Sequence, residues 1–392
     1  MICFDSLLYS STKMKIKIRN NKVSFDTSTP KMLINTAQAV DNALQLKSLL
    51  KDVEIFYAVK SLIDPRVIEA LKPSVDGFDV ASLGEVTDLM KLGIKPDKMV
   101  FSNPVKIPDH IKRAYKLGVR YFAYDSLEEI SKLSQLAPGS SVYLRILVPD
   151  QDSKFPLSSK FGVDPVHAVA YASMAVEAGL NFRGITFHVG SQSQTIIAWQ
   201  HALQLTGATI ENIQKADIQV NFLNIGGGFP AKYQNGDSIN IEEVAEVINK
   251  SLDEYIPQGI RVIAEPGRYI SADCASIYTT VIGKEHRPGG STWLYLDMGA
   301  FQGLIEPLEV PSLRYPVTNV DREMNKPKHF VLTGPTCDAA DTLGHDYMLP
   351  DDTSIGDVLK IDAAGAYSIV YASTFNGFRP PKIEYAKRGT KW

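Results

Sequence analysis

Most of the chain alternates short apolar segments with longer amphipathic ones. From about residue 37 to residue 266, the short segments are rich in β-branched and aromatic residues, which predicts buried strands. The predicted strands are 54–59, 75–79, 99–102, 120–124, 141–147, 184–189, 220–225 and 261–264. Helical spacing of apolar residues predicts helices at 65–71, 83–92, 108–117, 127–136, 166–178 and 241–255. Eight such alternations, over roughly the 250 residues typical of the fold, predict a (β/α)8 barrel in the α/β class.

After Glu265 the pattern changes to short strands separated by Gly, Pro, Asn and Asp, with little helical periodicity. Strands are predicted at 276–282, 293–297, 329–332, 357–361 and 367–371, which indicates a second, C-terminal β domain. The alternating segments KIKI and VSF near the N-terminus predict further strands that join it. We therefore expect an N-terminal segment at 1–34 packed on the β domain, a barrel at 35–268 and a β-sandwich or β-barrel domain at 269–392.

Composition narrows the classes of partner. A formal charge of −3 on 392 residues, with acidic and basic residues interspersed, argues against nucleic acid or an anionic membrane and favours a small molecule. The three cysteines have no CxxC spacing, which predicts neither a disulfide framework nor a metal site and fits a reducing cytosol. The N-terminus lacks a basic leader, and no apolar run approaches the ~20 residues of a membrane span. We expect a cytoplasmic protein.

Charged residues stand where the predicted barrel strands end. In IFYAVKS, Lys60 directly follows an apolar run; Asp79, His188 and Glu265 end other strands, and Arg145 lies within one. A lysine at a strand end is usually solvated. Barrel enzymes, however, place their chemistry at the C-terminal ends of their strands. A rim that carries all these side chains together predicts an active site.

The segment NIGGGFP predicts an anion site. Gly226, Gly227 and Gly228 lack Cβ atoms, so their backbone N–H groups are able to close on a phosphate, although a tight corner after the strand explains them equally well. Arg268, just past the eighth strand, would supply charge to the same phosphate. Barrel phosphate sites usually form in the loops after strands seven and eight.

Together these residues describe a site for pyridoxal phosphate. Lys60 would bind the cofactor aldehyde, His188 would stack on the ring, and Glu265 would pair with the ring nitrogen. The carboxylate matters most, because a protonated ring nitrogen makes the ring a strong electron sink. Alone, His188 is more often a core residue and Glu265 a solvated strand end.

The chain resembles the fold-type III pyridoxal phosphate decarboxylases, which act on ornithine, lysine, arginine and diaminopimelate. The motifs that carry the resemblance are FYAVKS, GFDVAS, HVGSQ, NIGGGFP, AEPGRYI, GPTCDAAD, GAYS and STFNGF, in family order from about residue 30 to residue 380. The resemblance implies a barrel with a β domain and a head-to-tail homodimer. It also implies cofactor contacts, mainly to the phosphate, from Ser191, Gly226, Gly227, Gly228, Gly267, Arg268 and Tyr367, with Asp79 and Arg145 nearby.

The resemblance further implies that Cys337 and Asp338 enter the active site of the neighbouring subunit. Cys337 would return a proton to the substrate carbon after CO2 has left, although a cysteine in isolation is more often a small buried residue. Asp338 suits a cationic amine at the far end of the substrate. Glu306, in MGAFQGLIEPLEVPSLRYP, is a second acidic candidate for that amine.

We therefore expect decarboxylation of L-ornithine or L-lysine to putrescine or cadaverine, most like the bacterial ornithine/lysine enzymes. Diaminopimelate, arginine or a diamino acid of a siderophore pathway stay open as substrates. Alanine racemases are a rival on a similar barrel, but they place an arginine at the ring nitrogen, where this chain has Glu265. A non-catalytic regulatory homologue is a second rival.

Overall fold

The computed structural model describes residues 29–234 and 239–386, so the segments KIKI and VSF lie outside the described residues. The strands are β1 (Lys31–Ile34), β2 (Val53–Ala58), β3 (Gly77–Val80), β4 (Met99–Phe101), β5 (Tyr121–Tyr124), β6 (Ser141–Arg145), β7 (Ser153–Phe155), β8 (Asn181–Thr186), β9 (Ser191–Ser193), β10 (Phe222–Asn224), β11 (Arg261–Ala264), β12 (Ala275–His286), β13 (Thr292–Leu296), β14 (Val317–Asn319), β15 (Pro327–Thr333), β16 (Thr342–Pro350), β17 (Val358–Ile361) and β18 (Lys382–Tyr385). The α-helices are α1 (Thr36–Leu49), α2 (Pro65–Leu71), α3 (Leu83–Lys91), α4 (Pro108–Leu117), α5 (Leu127–Leu136), α6 (Ala168–Glu177), α7 (Ile196–Lys215), α8 (Ile241–Tyr255), α9 (Arg268–Ser271) and α10 (Glu306–Glu309).

The predicted barrel is confirmed. Strands β2, β3, β4, β5, β6, β8, β10 and β11 pair in that order, and β11 pairs with β2 to close the barrel. Every pairing is parallel, and each strand is a nearly continuous buried run because both faces of the sheet are covered. Inside the barrel, an apolar layer that includes Phe56, Tyr143 and Phe222 fills the centre. The barrel is therefore a packed core with its chemistry at one end.

The helices begin at the polar residues that the sequence offers as caps. Asn35, Asp64 and Ser82 accept hydrogen bonds from backbone N–H groups in the first turns of α1, α2 and α3. The predicted helices are present, but α1 and the twenty-residue α7 were not predicted. Gly207 lies inside α7, where a Cβ atom would come within 2.3 Å of the Tyr255 carbonyl oxygen. The close approach of α8 therefore explains a residue that weakens the helical pattern.

The β domain is an eight-stranded sheet in the order β14-β17-β12-β13-β15-β16, with β1 paired to both β12 and β18. An N-terminal strand does join this sheet, because β1 pairs antiparallel with β12, but β1 is neither of the segments KIKI and VSF. The prediction of a strand at 367–371 is wrong. Tyr367 has φ +54 and its N–H donates to the Ser61 carbonyl, and Ile369–Tyr371 forms a 3₁₀ turn. A tertiary contact thus fixes a bend where composition favours extension.

A separate two-stranded antiparallel sheet, formed by β7 and β9, was not predicted, and it contributes Phe155 and Ser191 to the cavity described below. Over residues 29–234 and 239–386, no helix is long and apolar enough to cross a bilayer. The same residues contain no group of three or more His, Cys, Asp or Glu side chains suited to a metal ion.

Candidate active site

A cavity of about 600 Å³ lies at the C-terminal ends of the barrel strands, between the barrel and segments of the β domain. Of the predicted site residues, it is lined by Lys60, Arg145, His188, Ser191, Glu265, Arg268, Glu306 and Tyr367. The same wall includes side chains that sequence reasoning missed, among them Ser102, Asn103, Phe161, Glu309 and Tyr371. The structure therefore brings residues more than 300 positions apart to one cavity.

Lys60 sits in a 3₁₀ turn, Val59–Ser61, immediately after β2. Its side chain is 43% exposed because it faces the cavity, and its Nζ lies 2.6 Å from the buried Asp79 Oδ2. Burial disfavours the ammonium, but the charges of Asp79, Tyr367 and Glu265 outweigh burial and raise the pKa of Lys60. The amine is thus held as a cation by Asp79.

Glu265 follows β11 and is buried. Burial and the repulsion of Asp79 raise its pKa to about 7, although Lys60, Ser102 and Asn224 favour the charged form. Both Ser102 Oγ and Asn224 Nδ2 donate to Oε1, the latter at 2.5 Å. Because Oε1 is engaged, Oε2 is the oxygen available to a ligand nitrogen. Near neutral pH this carboxyl group is able to share a proton with a heterocycle.

Sequence reasoning missed Ser102 and Asn224, although both stand at strand ends. Ser102 follows β4 and Asn224 ends β10, so the rule that selected Lys60 also applies to them. Ser102 Oγ also lies 2.7 Å from the Tyr143 hydroxyl, which links the carboxylate to the barrel interior. Their neutral side chains gave no separate signal.

His188 follows β8 and is a neutral imidazole. Burial, together with the positive charges of Arg145 and Lys60, lowers its pKa well below the ordinary value. A Cβ atom on Gly227 would lie 2.8 Å from His188 Nε2, so glycine is required beside this ring. A flat, neutral ring that lines a cavity is suited to stack on an aromatic ligand.

Arg145 ends β6, is partly buried and lines the cavity. Burial lowers the pKa of Arg145, against the attraction of Glu265 and Asp125. Its guanidinium carbon lies 5.1 Å from the centre of the Phe161 ring. Arg145 therefore contributes positive charge to the wall next to His188.

Of the predicted phosphate residues, Ser191, Gly267 and Tyr367 lie next to Arg268. Its Nε donates to Ser191 Oγ at 3.2 Å, and its guanidinium carbon lies 4.8 Å from the centre of the Tyr367 ring. Gly226 and Gly228 have φ values of +65 and +105, a region that favours glycine. Gly267 packs so closely that a Cβ atom would lie 3.0 Å from Ser61 Cβ. The glycines thus permit the close turns that bring these segments together.

Glu306 was expected to face the amine of a substrate, but in the structure its carboxylate pairs with Arg268. Its two oxygens accept from Arg268 Nη1 at 2.7 Å and Nη2 at 2.5 Å. The reason is electrostatic: Arg268 is buried, and a carboxylate that reaches both Nη atoms satisfies its charge. In the structure Glu306 therefore lies at the part of the cavity wall that Arg268 forms.

Cys337 and Asp338 lie in an exposed turn after β15, and in the described part of one chain they do not line the cavity. The Cys337 N–H and thiol approach Asn376 Oδ1 at 3.1 and 3.3 Å. Asp338 Oδ1 accepts from the Ala340 N–H at 2.9 Å. Buried Asp341 holds the turn through the backbone N–H groups of Ala300 and Thr336. The turn is thus ordered and faces outward.

The cavity fits pyridoxal phosphate. Within residues 29–234 and 239–386, His188 Nδ1 and Asp79 Oδ1 are buried without a hydrogen-bond partner, as expected of groups that await a ligand or its reaction. Lys60, Glu265 and Arg268 offer an amine, a carboxyl group of raised pKa and a cation on one cavity wall. The cofactor supplies an aldehyde that binds amines and a ring that accepts the electron pair of a departing carboxylate.

Comparison with known proteins gives a consistent result. Residues 36–272 match the family described as pyridoxal-dependent decarboxylase, pyridoxal binding domain. A lysine/ornithine decarboxylase of Selenomonas ruminantium is 34% identical over 370 residues, covering 93% of each chain. Antizyme inhibitor 2 of Xenopus laevis is 32% identical over 89% of this chain and 79% of its own length.

Among solved structures, a lysine/ornithine decarboxylase of Vibrio vulnificus complexed with cadaverine superposes with a TM-score of 0.84. It is 29% identical and covers 92% of this chain and 96% of its own. The same protein has been solved with putrescine. The fold thus recurs in a protein whose crystals hold diamines.

Proposed function

The chain belongs to the pyridoxal-dependent decarboxylases, and from this premise we propose that it converts L-ornithine or L-lysine to putrescine or cadaverine. The family match confirms the predicted cofactor and enzyme class. One observation carries the proposal: Lys60, paired with Asp79, shares a cavity wall with Glu265, whose pKa is raised to about 7. An amine for the aldehyde and an acid for the ring nitrogen are what decarboxylation on this cofactor needs.

Each residue has a defined task in this proposal. Lys60 would hold the cofactor aldehyde beside Asp79, and Glu265 would keep the ring nitrogen protonated. His188 supports one face of the ring. Arg268 and the residues around it bind the phosphate: Ser191, Gly226, Gly227, Gly228, Gly267 and Tyr367. Arg145 adds positive charge beside the ring, where it favours the carboxylate of an incoming amino acid.

We also propose that the protein is a homodimer with shared active sites. The turn of Cys337 and Asp338 points outward, and it is joined through Asn376 to a segment with exposed apolar side chains. Val370, Tyr371, Phe375 and Phe378 in that segment are between 36% and 57% exposed, and Tyr371 also lines the cavity. Such side chains support a second copy covering the cavity mouth. Cys337 would then deliver the proton to the substrate carbon.

The basic substrate is proposed from Asp338, whose negative charge suits a terminal amine, and from the diamines bound by the Vibrio vulnificus relative. One methylene is worth only about 0.8 kcal/mol. We therefore expect both ornithine and lysine to react. The small number of cysteines, three in 392 residues, supports a cytoplasmic location.

A non-catalytic role is the second candidate, since one relative of similar identity is an antizyme inhibitor. The chain retains Lys60, His188, Glu265 and Arg268, which favours catalysis.

A panel of substrates distinguishes the candidate functions. Protein loaded with pyridoxal phosphate is incubated with ornithine, lysine, arginine, diaminopimelate or alanine. The release of CO2, the amine product and the stereochemistry of the remaining amino acid are then measured. The expected result is CO2 with putrescine and cadaverine, absent in Lys60→Ala. Racemisation alone, or no turnover by protein proven to hold the cofactor, contradicts the proposal.

A further inference from the structure

Arg268 already uses four of its five guanidinium N–H groups. Nε donates to Ser191 Oγ at 3.2 Å, Nη1 donates to the Tyr233 hydroxyl at 2.7 Å and to Glu306 at 2.7 Å, and Nη2 donates to Glu306 at 2.5 Å. The Arg268 and Glu306 side chains are only 3% and 6% exposed. The cation nearest the predicted phosphate position therefore has its charge neutralised by a carboxylate of the same chain.

The two partners come from different parts of the molecule. Arg268 begins α9, directly after the last barrel strand, whereas Glu306 begins α10 in the β domain, and both line the cavity. A carboxylate and a phosphate each present two oxygens to the same planar fork of N–H donors. Both anions cannot occupy that fork at once. Glu306 and a phosphate are thus direct competitors for Arg268.

We propose that Glu306 is an internal competitor of the cofactor phosphate, so that the chain's own carboxylate limits phosphate affinity. The inference rests on the proposed function, because it takes the phosphate to bind at Arg268. Arrival of the phosphate requires Glu306 to release Nη1 and Nη2, while the Nε contact with Ser191 is able to persist. Ser191 and Tyr233 keep the guanidinium in place during the exchange.

The test compares apo wild-type protein with Glu306→Gln and with Glu309→Gln. Glu309 lies one helical turn further along α10, lines the same cavity and is exposed. It provides the same loss of charge without the contact to Arg268. Each protein is titrated by calorimetry with inorganic phosphate, pyridoxal phosphate and pyridoxal, which lacks the phosphate.

Competition predicts that Glu306→Gln binds inorganic phosphate and pyridoxal phosphate at least tenfold more tightly than wild type, with unchanged affinity for pyridoxal. Glu309→Gln is expected to remain within about threefold of wild type, as a long-range charge effect only. Equal or weaker phosphate binding by Glu306→Gln overturns the proposal, since a carboxylate that merely positions Arg268 would have that effect. An equal gain in Glu309→Gln also overturns it.

Should Glu306→Gln fail to fold, Glu306→Asp shortens the side chain so that it no longer reaches both Nη atoms. The phosphate-induced rise in melting temperature is then expected to exceed that of wild type, and an equal or smaller rise overturns the proposal. These binding results are independent of turnover. If phosphate binding follows the prediction but no amino acid loses CO2, the proposed reaction fails and the competition stands. If turnover occurs without tighter phosphate binding, the competition fails and the proposed reaction stands.

Discussion

Two lysines at barrel strand ends show how differently one fold uses the same side chain. Lys60 follows β2, faces the cavity and has Asp79 at 2.6 Å. Lys106, in the segment after β4, is fully buried, and its Nζ donates to the carbonyls of Asn103, Pro104 and Ala123 at 3.0, 3.0 and 2.5 Å. Glu129 lies 3.0 Å from the same ammonium. The amine of Lys60 is accessible from the cavity, whereas the N–H groups of Lys106 are all engaged in hydrogen bonds within the protein.

The difference teaches which lysine is available for chemistry. The Ala123 carbonyl and the Glu129 carboxylate tie Lys106 to β5 and α5, and its bonds to Asn103 and Pro104 hold the segment 102–106, part of which lines the cavity. Burial lowers the pKa of Lys106 to about 8, against the attraction of Glu129. Its depressed pKa alone would suggest a reactive amine, but its geometry indicates a structural clamp. Access to a cavity, rather than pKa, separates the two roles.

The largest expected effect is on Lys60. Lys60→Met removes the only amine assigned to the cofactor aldehyde and is expected to lower the rate of decarboxylation by about 10⁴-fold or more. Turnover of ornithine is measured with cofactor in excess, and the exposed Lys116→Met serves as the control. Near-normal turnover by Lys60→Met would remove Lys60 from the chemistry and erase the contrast with Lys106.

Lys106→Met is expected to act on stability instead. Removal of the ammonium leaves three carbonyls and part of the Glu129 charge without a donor, which costs about 3 kcal/mol of unfolding free energy. Denaturant unfolding of the apo protein measures this loss. Well below the unfolding transition, the cofactor should still attach to the variant. A variant as stable as Lys116→Met, or one that loses attachment while folded, contradicts the clamp.

Glu265→Gln is expected to change how the unfolding free energy depends on pH. Burial raises the pKa of Glu265 from its ordinary 4.5 to about 7, so the folded apo protein binds more protons than the unfolded chain between these values. Wild-type stability from this group is therefore lost as pH rises from about 4.5 to 7. At pH 8 the amide variant should be more stable by up to about 3 kcal/mol, and the difference should vanish near pH 4.5.

The same variant should lose turnover, because glutamine cannot hold a proton on the ring nitrogen. Unfolding at several pH values, with Glu309→Gln as control, measures the first effect. If the difference in unfolding free energy between Glu265→Gln and wild type did not change with pH, the pKa of Glu265 would not be raised in the folded apo protein.

The smallest effect is expected for Ser102→Ala. It removes one of the two donors to Glu265 Oε1 and the link to Tyr143. A single lost hydrogen bond to a charged group predicts about a tenfold fall in turnover. Loss of the donor also destabilises the Glu265 anion, so the pKa of Glu265 in the apo variant should lie above that of wild type. NMR titration of the carboxyl group measures this directly, and an unchanged or lower pKa would show that Ser102 does not support the anion.

The sequence predicted the barrel because its strands are nearly continuous apolar runs, and it predicted Lys60 and Glu265 because charge at the end of such a run is conspicuous. It did not predict the clamp, since Lys106 and Glu129 are 23 residues apart and only the packing of α5 brings them together. The bend at Tyr367 depends on Ser61, far away in the chain. The pair of Arg268 and Glu306 likewise needs both domains in place. Local sequence patterns therefore suffice to predict the fold, whereas the site depends on contacts between residues that are distant in sequence.

The central claim is that Lys60, and not the buried Lys106, binds the cofactor aldehyde. The direct measurement is borohydride reduction of protein loaded with one equivalent of pyridoxal phosphate, followed by peptide mass mapping. The account predicts one pyridoxyl phosphate group, on the peptide that contains Lys60, and none on the peptide that contains Lys106. A label on Lys106, or a loaded and reduced protein with Lys60 unmodified, would contradict it.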